Sequence, residues 1–302
     1  MSRVRLRLPA TSANLGPGFD TLALALRVHL EIEAEAAGAF ALEASGRNVD
    51  VCAATKDNLL LTTYRSVLER EGRPVVPLHM RMQNGIPLGM GCGSSAAARL
   101  AAVALASHFG ELRWGRDRIL AEACRLEGHP DNSAACWLGG FVASAMDGDA
   151  VAAVRFPLPA AWRAVLVLPE RPLATTASRA VLPENYSRRD AVENLQQVAL
   201  LTGALATGRA DLLAGAMRDR LHQPYRAEAC PLLGKLLPLA GSHGIAGVAL
   251  SGAGPAVLLL VGSLKALEEA TKAAEQATAG AGSVEVLVCE LESEPAAFAE
   301  LD

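Results

Sequence analysis

The residues best suited to chemistry form a glycine-rich stretch at positions 86–98, which reads IPLGMGCGSSAAA. Three glycines at alternate positions lead into Ser94 and Ser95, and an alanine-rich helical pattern follows at residues 96–109. Glycine lets the backbone take a positive φ and approach a ligand closely. The serines lie where a helix N-cap is expected, and the free N–H groups and dipole of a helix N-terminus favour an anion. The stretch therefore predicts a phosphate-binding loop.

Two better-known phosphate loops do not fit this stretch. A Walker A loop carries a lysine directly after its last glycine, but no lysine occurs between Lys56 and Lys235. A dinucleotide-binding fingerprint requires a third glycine where this chain has Ser94. Taken alone, the stretch could also be a structural turn before a packed helix, so the other segments of the chain must decide.

Composition narrows the class of protein. The 302 residues carry a net charge of −4, which argues against a nucleic-acid-binding surface. Although 51% of the residues are hydrophobic, no uncharged apolar run reaches the roughly 18 residues of a membrane span. The first residues lack the features of a signal peptide. Six cysteines without a C-x-x-C pair suit a reducing compartment. We therefore expect a cytoplasmic protein with no nucleic-acid or membrane partner.

Hydrophobic periodicity predicts strands and helices in both halves of the chain. In the first half it predicts strands at 4–8, 24–34 and 78–82, and helices at 58–70, 96–109, 116–126 and 133–138. In the second half it predicts strands at 164–168, 247–250, 256–261 and 284–290, and helices at 190–206, 211–221, 231–240 and 264–277. The sequence Pro157-Leu158-Pro159 indicates a boundary between the halves. We expect two domains, the second a small α+β sandwich.

Three further polar segments accompany the glycine loop. Residues 9–20 read PATSANLGPGFD and predict a turn-rich loop between two strands. Residues 126–132 read LEGHPDN at a helix end. Residues 251–255 read SGAGP, a turn whose backbone N–H groups also suit an anion. Each segment alone is a weak signal, whereas the order of the four segments along the chain is a specific signal.

In this order, the four segments resemble those of the GHMP small-molecule kinases. Residues 9–20 are most similar to the homoserine kinases, because the glutamate-rich signature of galactokinases and the Ala-Pro-Gly-Lys-like start of mevalonate kinases are both missing. The resemblance spans residues 4 to about 290 and departs from the family at Cys92, whose side chain we expect to pack under the loop. It implies an α+β fold with an N-terminal, ATP-binding domain (1–156) of the ribosomal-S5-domain-2-like α/β type. It implies a C-terminal ferredoxin-like α/β sandwich at 157–302.

The resemblance implies ATP-dependent phosphorylation of the side-chain hydroxyl of L-homoserine to O-phospho-L-homoserine, a step of threonine biosynthesis. ATP and Mg²⁺ are the implied cofactors, and a homodimer is compatible with the resemblance. Two alternatives stay open, namely a GHMP kinase for another small alcohol and a nucleotide-binding regulator without catalysis. The presence of Ser95, Glu127 and Asp131 argues against the regulator.

The resemblance also assigns the nucleotide site. The backbone of residues 89–96 is expected to surround the triphosphate, and Ser95 and Glu127 to hold Mg²⁺. Without the resemblance, Glu127 would read equally well as a solvated charge at a helix end. Asn58 aligns with an asparagine near the adenine. The expected nucleotide-binding residues are Asn58, Pro87, Leu88, Gly89, Met90, Gly91, Cys92, Gly93, Ser94, Ser95, Ala96 and Ala97.

The resemblance assigns the acceptor site as well. Arg179 and Arg226 match two arginines that bind the substrate carboxylate, although on sequence alone they read more simply as surface residues. The other expected substrate-binding residues are Asn14, Asp20 and Thr175, and the expected catalytic residues are Asp131 and Asn132. Asp131 could act as a general base. We expect it instead to orient the hydroxyl together with Asn132, because a carboxylate bound to an ammonium is poorly placed to accept a proton.

Overall fold

A computed structural model describes residues 3–301 of the chain, apart from the side chain of Thr175. The strands are β1 (Arg3–Asn14), β2 (Gly18–Ala36), β3 (Ala41–Gly46), β4 (Leu78–Asn84), β5 (Phe141–Asp147), β6 (Ala150–Phe156), β7 (Arg163–Pro169), β8 (Ile245–Leu250), β9 (Val257–Val261), β10 (Val284–Glu290) and β11 (Ala297–Leu301). The helices are α1 (Val49–Ala53), α2 (Leu59–Arg70), α3 (Ser94–Phe109), α4 (Arg116–Glu127), α5 (Asp131–Leu138), α6 (Thr175–Ala180), α7 (Arg188–Thr207), α8 (Leu213–Ala216), α9 (Gln223–Arg226), α10 (Pro231–Leu236) and α11 (Leu267–Thr278). Within this part of the chain, no helix combines the length and apolarity that crossing a bilayer requires.

The first sheet is organised around the long strand β2. The described strands of this sheet follow the order β11-β1-β2-β4-β3, and the hairpin β5–β6 pairs with the other end of β2. Alternation along β1 buries Leu6 and Leu8, while Arg5 faces outward and forms an ion pair with Glu31 of β2. Helices α2, α3, α4 and α5 pack together on the buried face. The alanine-rich α3 is almost wholly buried there, because its small side chains let its neighbours approach closely.

The second sheet is antiparallel and carries its helices in the ferredoxin-like order. Its described strands lie in the order β10-β7-β9-β8 across the sheet. Along the chain, the elements follow as strand, helices, strand, strand, helix and strand. Val165 and Val167 on one face of β7 pack in a cluster with α10 and α11. Ala164 and Leu166 on the other face belong to the core that continues under the first sheet. The predicted α+β class and the ferredoxin-like second half are confirmed.

Strand β11 links the end of the described chain to its beginning. It pairs antiparallel with β1, from Arg3 opposite Leu301 to Arg7 opposite Ala297. The division into residues 1–156 and 157–302 is our proposal for the domains. In that division, β11 crosses from the second unit to complete the sheet of the first.

The prediction of a loop at residues 9–20 is wrong for most of its length. Strand β1 continues to Asn14 and β2 begins at Gly18, so residues 15–17 alone form the connection. Thr11 and Ser12 are polar yet fully buried in the ladder, opposite Ala25 and Leu24. Hydrophobic periodicity does not detect a strand whose buried positions are polar.

The predicted helix at 211–221 is also wrong. A 3₁₀ turn at Ala210–Leu212 and the short helix α8 are followed by irregular backbone up to residue 222. The Asp219 carboxylate accepts hydrogen bonds from the backbone N–H groups of Leu221, His222 and Gln223. These bonds occupy N–H groups that a continued helix would use, an alternative that aspartate side chains offer to the backbone.

Smaller differences concern element ends and short elements. Helix α3 begins at Ser94, with Gly93 rather than a serine as its N-cap residue. The predicted helix at 231–240 stops at Leu236 and continues as a 3₁₀ turn that contains Pro238. Sequence periodicity missed several short elements, namely β3, α1, β5, β6, α6, α9 and β11. Three of them, β3, β6 and β11, are edge strands of the first sheet, where partial exposure weakens the hydrophobic pattern.

The burial of β1 leads to a stability prediction. Leu6 is 0% exposed in the core, whereas Leu195 on α7 is 65% exposed. We expect Leu6→Ala to lower the free energy of unfolding by about 2–5 kcal/mol, because it removes buried methyl groups and leaves a cavity. The matched change Leu195→Ala should alter it by less than about 0.5 kcal/mol. Urea unfolding followed by circular dichroism measures both, and equal losses would contradict the described core.

Candidate active site

The glycine-rich loop packs so closely that its glycines are required. Gly89, Gly91 and Gly93 all have positive φ, a conformation that side chains with a Cβ rarely adopt. A Cβ on Gly91 would lie 2.0 Å from the carbonyl oxygen of Ser251. A Cβ on Gly93 would lie 1.9 Å from the Thr11 hydroxyl. The loop therefore packs between strand β1 and the turn at 251–255, in contact with both.

The loop ends at the N-terminus of a long helix. Gly93 is left-handed at the N-cap, and Ser94 and Ser95 form the first turn of α3 without a side-chain cap. Their backbone N–H groups and the helix dipole thus favour an anion at this point. Cys92 is 1% exposed, and burial raises the pKa of its thiol to about 12. The predicted packing of Cys92 beneath the loop is confirmed.

The turn at residues 251–255 holds the loop and the first strand together. The Ser251 hydroxyl donates a 2.8 Å hydrogen bond to the carbonyl oxygen of Gly91. The Asn14 Nδ2 group donates one of 2.8 Å to the carbonyl oxygen of Gly252, and the Gly252 N–H donates one of 3.0 Å to Ala13. Asn14 also accepts from the backbone N–H of Asp20. Asn14 therefore acts here as a structural connector between both halves of the chain.

These segments enclose a polar cleft of about 470 Å³. An apolar cavity of about 230 Å³ adjoins it and shares Leu59, Ser94 and Ser95 with it. The predicted site residues that line the cleft are Asn14, Asp20, Gly89, Gly91, Cys92, Gly93, Ser94, Ser95, Glu127, Asp131, Asn132, Arg179 and Arg226. Asn58 and Leu88 line the apolar cavity. Pro87, Met90, Ala96 and Ala97 line neither space, and the last two are buried within α3.

Asp20 and Arg179 form a bidentate ion pair at the rim of the cleft. The Arg179 Nη1 and Nη2 groups donate to Asp20 Oδ2 and Oδ1 over 2.9 and 2.5 Å. The hydrogen bond to Asp20 raises the pKa of Arg179 above its ordinary value. Both side chains are partly exposed. The pair offers an anion and a cation side by side on the cleft wall.

Arg226 is a buried cation beside this pair. It is 1% exposed, its Nε donates to the Ser178 carbonyl, and its Nη1 donates 3.0 Å to His222 Nδ1. His222 Nε2 in turn donates to the carbonyl oxygen of Gly16, which identifies a neutral ring. Burial lowers the pKa of His222, in agreement with that form. Within residues 3–301, no carboxylate lies in ion-pair distance of Arg226.

Burial and the nearby charge of Arg179 lower the pKa of Arg226. Arginine nevertheless stays protonated in proteins. The side chains of Arg179 and Arg226 both lie over the Phe19 ring, with centroid distances of 5.4 and 5.5 Å. A buried guanidinium without a carboxylate partner favours an anionic ligand in the cleft.

A tight turn between α4 and α5 delivers three further polar side chains. Gly128 has a left-handed backbone and ends α4. Glu127, His129 and Asp131 therefore lie on either side of a sharp turn, within five residues of sequence. His129 Nδ1 lies 2.7 Å from Asp131 Oδ1. Burial alone would lower the pKa of His129, but the hydrogen bond and charge of Asp131 outweigh burial and raise it. The sequence singled out no role for His129 in the site, whereas its side chain lines the cleft.

A hydrogen bond from Thr11 orients the side chain of Asn132. The Thr11 hydroxyl donates a 2.6 Å hydrogen bond to Asn132 Oδ1. The Asn132 Nδ2 group is 3.4 Å from Asp131 Oδ1, which also accepts from the Asn132 backbone N–H at 2.7 Å. Thr11 thus fixes which way the amide points, with its N–H groups toward Asp131 and the cleft.

Glu127 and Ser95 fit a hard divalent cation. The Glu127 side chain is 7% exposed, and among the described residues no donor is aligned for a hydrogen bond to its Oε1, although Arg99 Nη1 lies 2.6 Å away. Because no donor is directed at Oε1, this oxygen keeps lone pairs for a second cation beside Arg99. Ser95 lines the same cleft. Carboxylate and hydroxyl oxygens are ligands that Mg²⁺ prefers.

Asn58 is positioned by its role as a helix cap. Its side-chain oxygen accepts from the N–H groups of Leu60 and Leu61, and its Nδ2 donates to the Cys52 carbonyl. These bonds hold Asn58 at the mouth of the apolar cavity, which suits a flat aromatic ring. The sequence signal for a cap, asparagine before an apolar helical run, was present.

Comparisons with known proteins identify the family. The model described as the GHMP kinases N terminal domain matches residues 58–140, and the model described as GHMP kinases C terminal matches residues 200–283. The two matches cover the glycine loop, the Glu127 to Asn132 turn and the 251–255 turn. The chain belongs to the GHMP kinases.

Relatives of this GHMP kinase align along most of its length. A homoserine kinase of Solibacter usitatus is 48% identical over 255 residues, which are 84% of this chain and 84% of that protein. A homoserine kinase of Desulfitobacterium hafniense is 37% identical over 295 residues, or 97% and 99% of the two chains. Both alignments are long enough to reach into both family domains.

A solved structure shares the whole fold. The crystal structure of homoserine kinase from Cytophaga hutchinsonii has a TM-score of 0.81 at 23% identity and covers 98% of this chain and 97% of that one. The crystal structure of L. major mevalonate kinase has a TM-score of 0.71 at 16% identity, with 95% and 96% of the two chains covered. At these identities, both likenesses show the GHMP kinase fold.

The packing of the glycine loop predicts which glycine cannot change. We expect Gly91→Ala to lower the free energy of unfolding by about 2 kcal/mol or more, because positive φ and the Ser251 carbonyl both oppose a Cβ. Gly203 lies inside α7, where an added Cβ would have no other atom within 4 Å. Gly203→Ala should therefore stabilise the protein by about 0.5–1 kcal/mol. Thermal unfolding measures both changes, and a harmless Gly91→Ala would contradict the described loop contacts.

Proposed function

We propose that the protein transfers the γ-phosphoryl group of ATP to the side-chain hydroxyl of L-homoserine and so contributes to threonine biosynthesis. The support comes from membership of the GHMP kinases, from relatives named homoserine kinase at up to 48% identity, and from the charges in the cleft. Homoserine is a zwitterion with a primary alcohol, so a pocket for it needs a cation, an anion and a polar group near the hydroxyl.

The observation that carries the proposal is the buried Arg226 beside the Asp20–Arg179 pair. We propose that Arg226 and Arg179 bind the substrate carboxylate and that Asp20 binds the ammonium group. Arginine grips a carboxylate in two-point geometry. The ligand atoms of Asp20, His129 and Asp131 lie within 4.8 Å of one another. The two carboxylates of this group supply the negative charge for the ammonium. A neutral sugar would leave Arg226 unpaired, and mevalonate, which has a carboxylate but no ammonium, would leave the carboxylates of the cleft without a cation.

We propose that ATP binds across the two adjoining spaces. The apolar cavity beside Asn58 would take the adenine, and the first turn of α3 with the glycine loop would take the phosphates. Ser94 and Ser95 border both spaces, so they lie where base and phosphates would connect. Ser95 and Glu127 would hold Mg²⁺, which when bound neutralises phosphate charge. Phosphoryl transfer depends mainly on positioning and charge neutralisation.

We propose that Asn132 and Asp131 orient the acceptor hydroxyl. Thr11 holds the Asn132 amide in place, which limits the loss of conformational freedom when the acceptor binds. Asp131 Oδ1 already accepts from His129 and from the Asn132 N–H, so this oxygen is committed before a substrate arrives. In the proposed mechanism, the hydroxyl proton leaves to phosphate or water.

We further propose that the enzyme works in a reducing compartment, such as the cytoplasm, since its six cysteines are free and five of them are buried. A homodimer stays a prediction, which the mass of the protein in solution would test.

The function is tested by ADP release from the purified protein with MgATP. L-homoserine should support turnover, while mevalonate, galactose and L-threonine should not. Turnover with mevalonate or galactose would keep the phosphate site and overturn the amino-acid pocket. ATP binding without turnover on any acceptor would favour a regulator.

Arg226 should control acceptor affinity. We expect Arg226→Met to raise the KM for homoserine about 10- to 100-fold, because a charged hydrogen bond is worth roughly 1.5–3 kcal/mol. The KM for MgATP should change by less than about twofold. Arg220→Met on the same segment is the matched control, since Arg220 forms only an exposed pair with Glu193. An unchanged homoserine KM in Arg226→Met would remove the arginine from the proposed pocket.

Asp131 separates orientation from base catalysis. If Asp131 orients the substrate, Asp131→Asn should keep most of its kcat while the KM for homoserine rises. Steady-state kinetics at saturating homoserine make the distinction. A loss of about 100-fold or more in kcat would instead identify a general base.

A further inference from the structure

Arg99 lies in the cleft without a role in the proposed chemistry. It sits on α3 one helical turn after Ser95, so both side chains project from the same helix face. Its side chain is 24% exposed and lines the polar cleft together with the glycine loop. Its Nη1 is 2.6 Å from Glu127 Oε1, the oxygen to which no described donor is aligned for a hydrogen bond. Arg99 is thus the cation nearest to the proposed Mg²⁺ ligand.

The sequence around the cleft explains why such a cation is needed. No lysine occurs between Lys56 and Lys235, and neither of these residues lines the cleft. The lining arginines are Arg99, Arg179 and Arg226. Arg179 pairs with Asp20, and Arg226 is held by Ser178 and His222 on the acceptor side. Of these three arginines, Arg99 is closest in sequence to the glycine-rich loop, and it has no part in the proposed acceptor pocket.

We propose that Arg99 is a phosphate-binding residue that the free enzyme holds on Glu127. When ATP binds, the guanidinium gives up the carboxylate and turns to the nucleotide phosphates, and a Mg²⁺ ion held by Glu127 would favour the same movement. The long flexible side chain and its partial exposure allow this movement within the cleft. In the free enzyme, the same ion pair prevents Glu127 from standing as an uncompensated buried charge. This inference rests on the proposed function, since it assumes that ATP binds at the start of α3.

The test is ATP binding by isothermal titration calorimetry in EDTA, where no metal contributes. We expect Arg99→Gln to weaken metal-free ATP binding by about tenfold, because a cation near the phosphates is lost. Glu127→Gln should strengthen it, since that change removes a repelling carboxylate and releases Arg99. In the double variant Arg99→Gln/Glu127→Gln, the gain from the Glu127 change should be clearly smaller, because there is no guanidinium to release.

Arg125→Gln is the matched control. Arg125 belongs to α4 and pairs with Glu122, and it does not line the cleft. This variant should bind ATP as the wild type does. Thermal unfolding of every variant separates loss of fold from loss of binding, and Arg99→Lys should retain part of the affinity if Arg99→Gln is unstable.

Two results would overturn the inference. One is metal-free ATP binding by Arg99→Gln at wild-type strength, and the other is an equal gain from Glu127→Gln with and without Arg99. If these occur while the wild type phosphorylates homoserine, the inference alone falls. If the wild type binds no ATP with or without Mg²⁺, the proposed function falls and the inference falls with it.

Discussion

The site depends on the contact between the 251–255 turn and the glycine loop. The Ser251 hydroxyl bonds to the Gly91 carbonyl, and Gly252 exchanges bonds with Asn14 and Ala13 at the end of β1. These bonds join segments that are more than 150 residues apart in sequence. Because the backbone of Gly91 lies directly against the backbone of Ser251, only glycine fits at this position. This contact places the proposed phosphate side and the proposed acceptor side of the cleft opposite each other.

Charge is the second constraint on this cleft. Its lining places Asp20, Glu127 and Asp131 against Arg99, Arg179 and Arg226. Two of the arginines are neutralised by Asp20 and Glu127, whereas Arg226 is buried against neutral partners only. A buried cation whose hydrogen-bond partners are neutral is costly, and a ligand that supplies an anion would offset that cost. A zwitterionic substrate meets this demand without adding net charge to the pocket.

The sequence predicted most of the residues that line the cleft, because they cluster in short segments with glycines, serines and acids. Helix α3, the Glu127 to Asn132 turn and the 251–255 turn could be read locally. Thr11, Phe19 and His222 could not, since their roles come from contacts with residues distant in sequence. Strand β11 was missed for the same reason: its pairing partner β1 lies at the opposite end of the described chain. The helix predicted at 211–221 failed where the side chain of Asp219 competes for backbone N–H groups, which periodicity does not register.

The most direct measurement of what this cleft does is phosphorus-31 NMR of the protein with MgATP and L-homoserine. Transfer to the hydroxyl predicts a new phosphomonoester signal coupled to the terminal methylene protons of homoserine, growing in step with ADP. ADP accompanied only by inorganic phosphate would mean transfer to water. That result, or a phosphoramidate or acyl phosphate signal in place of the ester, would contradict a cleft built to present the homoserine hydroxyl to ATP.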